Sequence, residues 1–136
     1  MNTYVVIGVI VIVVMLFFGF NAFLKNAAGG PDKKLLQKYY DELAVNPNSA
    51  TAYMEIARDN ITADPPYDTE KALADISKAI ELDPNLTEAY NLRAMLYYYI
   101  IKDTEKALND INKALEIEPS NDFALGFKED IIKENH

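Results

Sequence analysis

Two stretches of the chain carry the same alternation of apolar and polar positions. From Asp68 to Pro84 the sequence reads DTEKALADISKAIELDP, and from Asp103 to Pro119 it reads DTEKALNDINKALEIEP, identical at twelve of seventeen positions and offset by 35 residues. In the first, Ala72, Leu73, Ile76, Ala79 and Ile80 stand at i, i+1, i+4, i+7 and i+8; Ala107, Leu108, Ile111, Ala114 and Leu115 repeat the spacing in the second. That spacing draws one stripe along an α-helix and leaves the opposite side polar. The Asp at the head of each stretch can accept from the free N–H groups of the first turn, and the Pro at its foot forbids another turn. Recurrence at this period is the signature of a solenoid, whose units bury their stripes only against one another.

The remaining elements follow from the same pattern. Leu35, Leu36, Tyr39, Tyr40 and Leu43 predict a helix over 33–46, closed by Asn46-Pro47. Ala52, Tyr53, Ile56, Ala57 and Asn60 predict a second, capped by Asn48 and running to about Thr62, after which Pro65-Pro66 mark a loop. Asn85 with Glu88 resembles a capping box at the head of a helix whose apolar side carries Tyr90, Ala94, Tyr97, Tyr98 and Ile101. The last helix, from Asn121 to about Glu134, presents Phe123, Ala124, Phe127 and Ile131 to the stack and charge elsewhere. The fold class is therefore all-α: six helices in an antiparallel zigzag.

The N-terminus breaks this pattern. From Tyr4 to Leu24 the sole strongly polar side chain is Asn21, and no charge precedes Lys25. Such a run, at ~1.5 Å per residue, reaches about 31 Å, the thickness of a bilayer's hydrocarbon core. A cleavable signal peptide would open with a basic segment, whereas Met1-Asn2-Thr3 has none. The expected organisation is a single transmembrane anchor over 1–25, a flexible tether over 26–32 containing Gly29-Gly30-Pro31, and a helical domain over 33–136. Lys25, Lys33, Lys34 and Lys38 follow the span and no Lys or Arg precedes it, which places the domain in the cytoplasm by the positive-inside rule.

Charge narrows the partners. Lys25 is the one basic residue of 13 that lies before Gly30, so the remaining 12 face all 21 acids and the domain carries −9. That surface repels nucleic acid and suits a protein or peptide partner, a basic one in particular. The absence of cysteine excludes disulfide and thiol chemistry.

Residues for catalysis are missing. The one histidine is His136, and the carboxylates Glu70, Asp75, Glu81, Glu105, Asp110 and Glu116 fall on the polar side of the repeated stripes. There is no Gly-rich phosphate loop, metal-ligand spacing or nucleophile elbow. The sequence predicts no enzyme, no cofactor and no metal.

Ala52-Tyr53 and Ala89-Tyr90 open the first helices of two pairs, Ala57 and Ala94 follow a turn later, and Ala-x6-Ala-x4-Pro occurs in both second helices (Ala72, Ala79, Pro84; Ala107, Ala114, Pro119). In these features the chain resembles the tetratricopeptide repeat family. The resemblance divides the domain into a first helix at 33–46, repeats at 48–84 and 85–119, and a capping helix at 120–135. The prolines are 37 residues apart between Pro47 and Pro84 and 35 between Pro84 and Pro119, against the family's 34. One extra residue is expected near Ile101-Lys102 and three in the Pro65-Pro66 loop. Thr69 and Thr104 stand where the family has an aromatic, and the turn glycine is absent. The resemblance implies a groove lined by the first helix of each pair, with Thr51, Met54, Arg58, Glu88, Asn91, Met95, Tyr98 and Tyr99 as its partner-binding residues. The family's clamp for acidic C-terminal peptides needs several bases, and here only Arg58 and Asn91 could contribute. Two readings remain: a membrane-anchored, non-catalytic adaptor, of which a receptor for basic targeting segments is a special case, or a structural subunit that associates with itself or with other membrane proteins.

Overall fold

The computed structural model describes residues 33–62 and 68–134. The expected anchor at 4–24, the tether and the Pro65-Pro66 loop lie outside the described residues. Among the described residues no helix is long and apolar enough to cross a membrane. Six helices follow one another: α1 (Lys33–Val45), α2 (Ala50–Thr62), α3 (Thr69–Leu82), α4 (Thr87–Met95), α5 (Thr104–Ile117) and α6 (Asp122–Glu134). A π-helical segment, Leu96–Ile101, continues α4. Each helix packs on its neighbours in sequence: α2 against α3 and α4 against α5 as hairpins, with α1, α3 and α5 each also packed on the helix that follows.

Small side chains set how closely the helices approach. Ala52, Ala57, Ala72, Ala79, Ala89, Ala94, Ala107, Ala114 and Ala124 have no exposed surface. Ile76, Leu96, Ile111 and Ile131 fill the space between these contacts. The core forms two clusters, one around Met54, Ile76, Leu92 and Leu96 and the other around Tyr90, Ile111, Phe127 and Ile131. Ile80 packs against both, so the two hairpins share one apolar layer.

The expected end signals hold in the duplicated helices. Asp68 accepts from the Lys71 amide at 3.1 Å and Asp103 from the Lys106 amide at 3.0 Å. Two other caps differ from expectation. At α2 the cap is Ser49 rather than Asn48: its Oγ accepts from the Ala52 amide at 3.2 Å and donates to the Glu42 carboxylate. Asn48 is drawn back because its own amide donates to Asn46 Oδ1 at 3.2 Å. The same turn recurs at Asp83-Pro84-Asn85, where the Asn85 amide donates to Asp83 Oδ1 at 3.0 Å. The capping box at Asn85 and Glu88 therefore does not form, and Leu86 occupies the cap position without a side-chain bond.

The duplicated helices also differ where the sequence suggested equivalence. Asp110, expected on a solvated face, is 6% exposed. It accepts from Arg93 Nε and a terminal guanidinium nitrogen, both at 2.7 Å, a bidentate pair that ties α5 to α4 and raises the affinity of Arg93 for its proton. Asp75 instead pairs within its own helix, with Lys71 at 2.9 Å.

The extra residue expected near Ile101-Lys102 is absorbed over Leu96–Ile101 as a wide turn of π-helix, the usual form of a one-residue insertion within a helix. Lys102 then takes the left-handed conformation, φ 64°, and its amide donates to the Tyr97 carbonyl. It thus ends the helix at a position that glycine commonly takes, against a backbone cost of ~1–2 kcal/mol for a side chain with a Cβ. Lys102→Gly should raise the unfolding free energy by about 0.5–1 kcal/mol, the relief less glycine's greater freedom in the unfolded chain. Urea denaturation measures it, and a loss of stability would mean that the lysine side chain outweighs the strain.

Candidate functional site

Two adjoining depressions run across α2, α4 and the start of α6, sharing Arg58, Leu92 and Met95. The first, ≈ 260 Å³, adds Glu88, Asn91, Asn121 and Phe123. The second, ≈ 370 Å³, adds Ile61, Thr62, Leu96, Tyr99 and Ile100 and is the more apolar. The periodicity of α4 builds the shared wall, since Asn91 and Met95 stand one turn apart, as do Leu92 and Leu96.

Polar groups in the first depression are held in place. Asn91 Nδ2 donates to Asn121 Oδ1 at 3.2 Å, and that oxygen also accepts from the Ala124 amide at 2.9 Å. Asn91 is buried and its Oδ1 has no hydrogen-bond partner. A buried amide oxygen without a donor carries a desolvation cost of ~1–3 kcal/mol that an arriving N–H would relieve. Arg58, about half exposed, pairs with Glu55 at 3.3 Å. Among the described residues it is the one cation lining either depression.

The expected groove residues divide. Arg58, Glu88, Asn91, Met95 and Tyr99 line the two depressions. Thr51 is exposed on α2 but lines neither of them. Met54, expected at the surface, is 5% exposed and belongs to the core beside Ala57 and Ile76. Tyr98 lies elsewhere: with Tyr99, Lys102, Thr104 and Glu134 it lines a third depression of ≈ 290 Å³. Tyr99, whose ring meets those of Tyr98 and Phe127, lines both the second and the third depression, and the π-helical turn leaves Ile101 exposed although the sequence placed it on the apolar side. Leu92, Leu96, Ile61, Ile100, Asn121 and Phe123 were not anticipated in the groove. Their i, i+4 spacing signalled Leu92 and Leu96, whereas Phe123, expected to be covered, is half exposed because it stands at the open end of the first depression.

Residues 87–121 match the family model described as Tetratricopeptide repeat. A solved structure described as the first TPR of Spaghetti (RPAP3) bound to the HSP90 peptide SRMEEVD superposes with a TM-score of 0.65 at 20% identity, covering 90% of each chain. The fold is thus that of a tetratricopeptide α-solenoid, with a repeat of that family at α4–α5. No curated protein sequence matches the chain.

The Tyr98 hydroxyl donates to the Glu134 carboxylate, tying the π-helical turn to the end of α6. That bond, with a smaller contribution from desolvation, pushes the phenol pKa up to about 12. Since the neutral phenol is the favoured form in the fold, this tie is fully present below the ordinary tyrosine range near pH 10 and is lost as pH rises through about 12. Glu134→Gln should return Tyr98 to the ordinary range. NMR titration of ring-labelled tyrosine follows the change, and an unshifted Tyr98 in the parent chain would remove the tie.

Proposed function

We propose that the chain is a membrane-anchored, non-catalytic adaptor whose groove across α2, α4 and α6 holds an extended segment of a partner protein. In this reading residues 4–24 span the bilayer, 26–32 tether the domain, and the lysines after the span hold it on the cytoplasmic side. The observation that carries the proposal is the pair of adjoining depressions with an unpartnered, buried Asn91 Oδ1 at one end and an apolar seat at the other.

These features describe a ligand. A main-chain N–H satisfies Asn91 Oδ1, and a bulky apolar side chain two or three residues along fills the seat lined by Ile61, Tyr99 and Ile100. The solved relative of 20% identity is described as bound to the peptide SRMEEVD, which carries three acidic side chains. Here Arg58 is already paired with Glu55 and has Glu88 beside it in the first depression. An acidic peptide is therefore a poor match, and a neutral or basic one suits both the groove and the −9 charge of the domain.

The test is peptide selection against the full-length chain in nanodiscs, followed by anisotropy measurements on the peptides recovered. Selected sequences should carry a bulky apolar residue and few acids. Met95→Glu should weaken them at least tenfold and Asn91→Ala about tenfold, with helical content unchanged. Peptides that bind both variants as tightly as the parent would place the binding surface elsewhere.

A further inference from the structure

The two ends of the stack are open in complementary ways. Counting from Asp32, Asp68 and Asp103, the residues before α1, α3 and α5, Tyr40 of α1 holds the position of Ile76 and Ile111. Those two isoleucines are 0% exposed, each lying between two first-of-pair helices, yet Tyr40 is 42% exposed. Among the described residues α1 packs chiefly on the helix after it, and Lys71 of α3 donates to the Tyr40 hydroxyl at 3.4 Å and lies over its ring. Tyr40 nonetheless stays 42% exposed, on the flank that a preceding helix would cover.

At the other end, α6 is the register equivalent of α4, since Thr87 and Asp122 each begin their helix. Ala124, Phe127 and Ile131 then correspond to Ala89, Leu92 and Leu96, and all six are buried. The match fails on one side. Leu125 stands where α4 has Tyr90 and is 48% exposed against 7%. Tyr90 is covered by α5, with which it shares a core cluster. The open flank of α6 is thus the seat of a second-of-pair helix, and α1 is a second-of-pair helix whose matching flank is open.

Charge follows the same division. Three lysines against two acids give α1 a net positive charge. Four acids against two lysines make α6 the most negative of the helices; the other four are neutral or carry a single net negative charge.

We infer that the chain associates with a second copy head to tail, α1 of one copy seated on α6 of the other as α5 is seated on α4. In that arrangement Tyr40 meets Leu125 as Ile111 meets Tyr90 within one cluster. The solenoid continues across the junction, and the groove across α2, α4 and α6 remains open. The contact is heterologous, so it repeats along an array rather than closing a dimer.

The absence of native cysteine allows a direct test in the full-length chain in detergent micelles. Chains carrying Tyr40→Cys, mixed with chains carrying Leu125→Cys and oxidised, should form a mixed dimer at least tenfold in excess of either same-variant dimer. The double variant should form a ladder that weakens at 1 M salt, where the Debye length falls to ~3 Å. Adding Leu125→Asp to the Tyr40→Cys chain should leave helical content unchanged and abolish growth of the assembly with concentration. The parent chain, which carries no substitution, should itself gain mass with concentration by sedimentation. A parent chain of fixed monomeric mass overturns the inference. So does a predominance of same-variant dimers, or a Tyr40→Cys thiol shielded from maleimide in the monomer by the chain's own N-terminal segment.

Discussion

Close approach of helices through alanine is the constraint on which this structure depends. Nine alanines with no exposed surface occupy the contact points between helices. Overpacking such a point by a methylene costs ~1–3 kcal/mol. The larger residues fill the gaps these contacts leave, so the clusters around Ile76 and Ile111 are consequences of the spacing set by the small residues. A stack held this way resists rotation of one hairpin on the next. The groove wall built from Asn91, Leu92 and Met95 stands on a helix whose Ala89 and Ala94 are fully buried.

Much of this is legible in the sequence. The duplicated helices announced themselves through an Asp, an alanine pair and a Pro at fixed intervals, and all six helices lie where the apolar stripes placed them. What could not be read depended on residues distant in sequence. Asp110 looked like Asp75 because the stripes around them are alike; its burial follows from Arg93, 17 residues earlier on another helix. The first hairpin has Ile56 at the position equivalent to Arg93, so no such pair arises there. The caps at Asn48 and Asn85 failed for a local reason, namely that the residue before each proline captures the amide needed for a different turn.

The candidate groove was legible in part. Arg58, Glu88, Asn91, Met95 and Tyr99 follow from the helix face that the repeats imply. Met54 departs from it because α2 and α4 turn slightly different residues inward: Met54 packs beside Ala72 and Ile76, whereas Asn91 at the matching position of α4 keeps one edge toward the depression. Phe123 and Asn121 join the groove only because α6 begins at its rim.

The wide turn at Leu96–Ile101 bears on how such a chain can change over generations. Each residue added to a rod of 3.6 per turn swings everything beyond it by about 100°. Here that swing is confined to six side chains before Lys102 resets the path. Gain or loss of a single codon in this stretch would therefore exchange which aromatic ring faces the groove while the alanine contacts on either side stay in step.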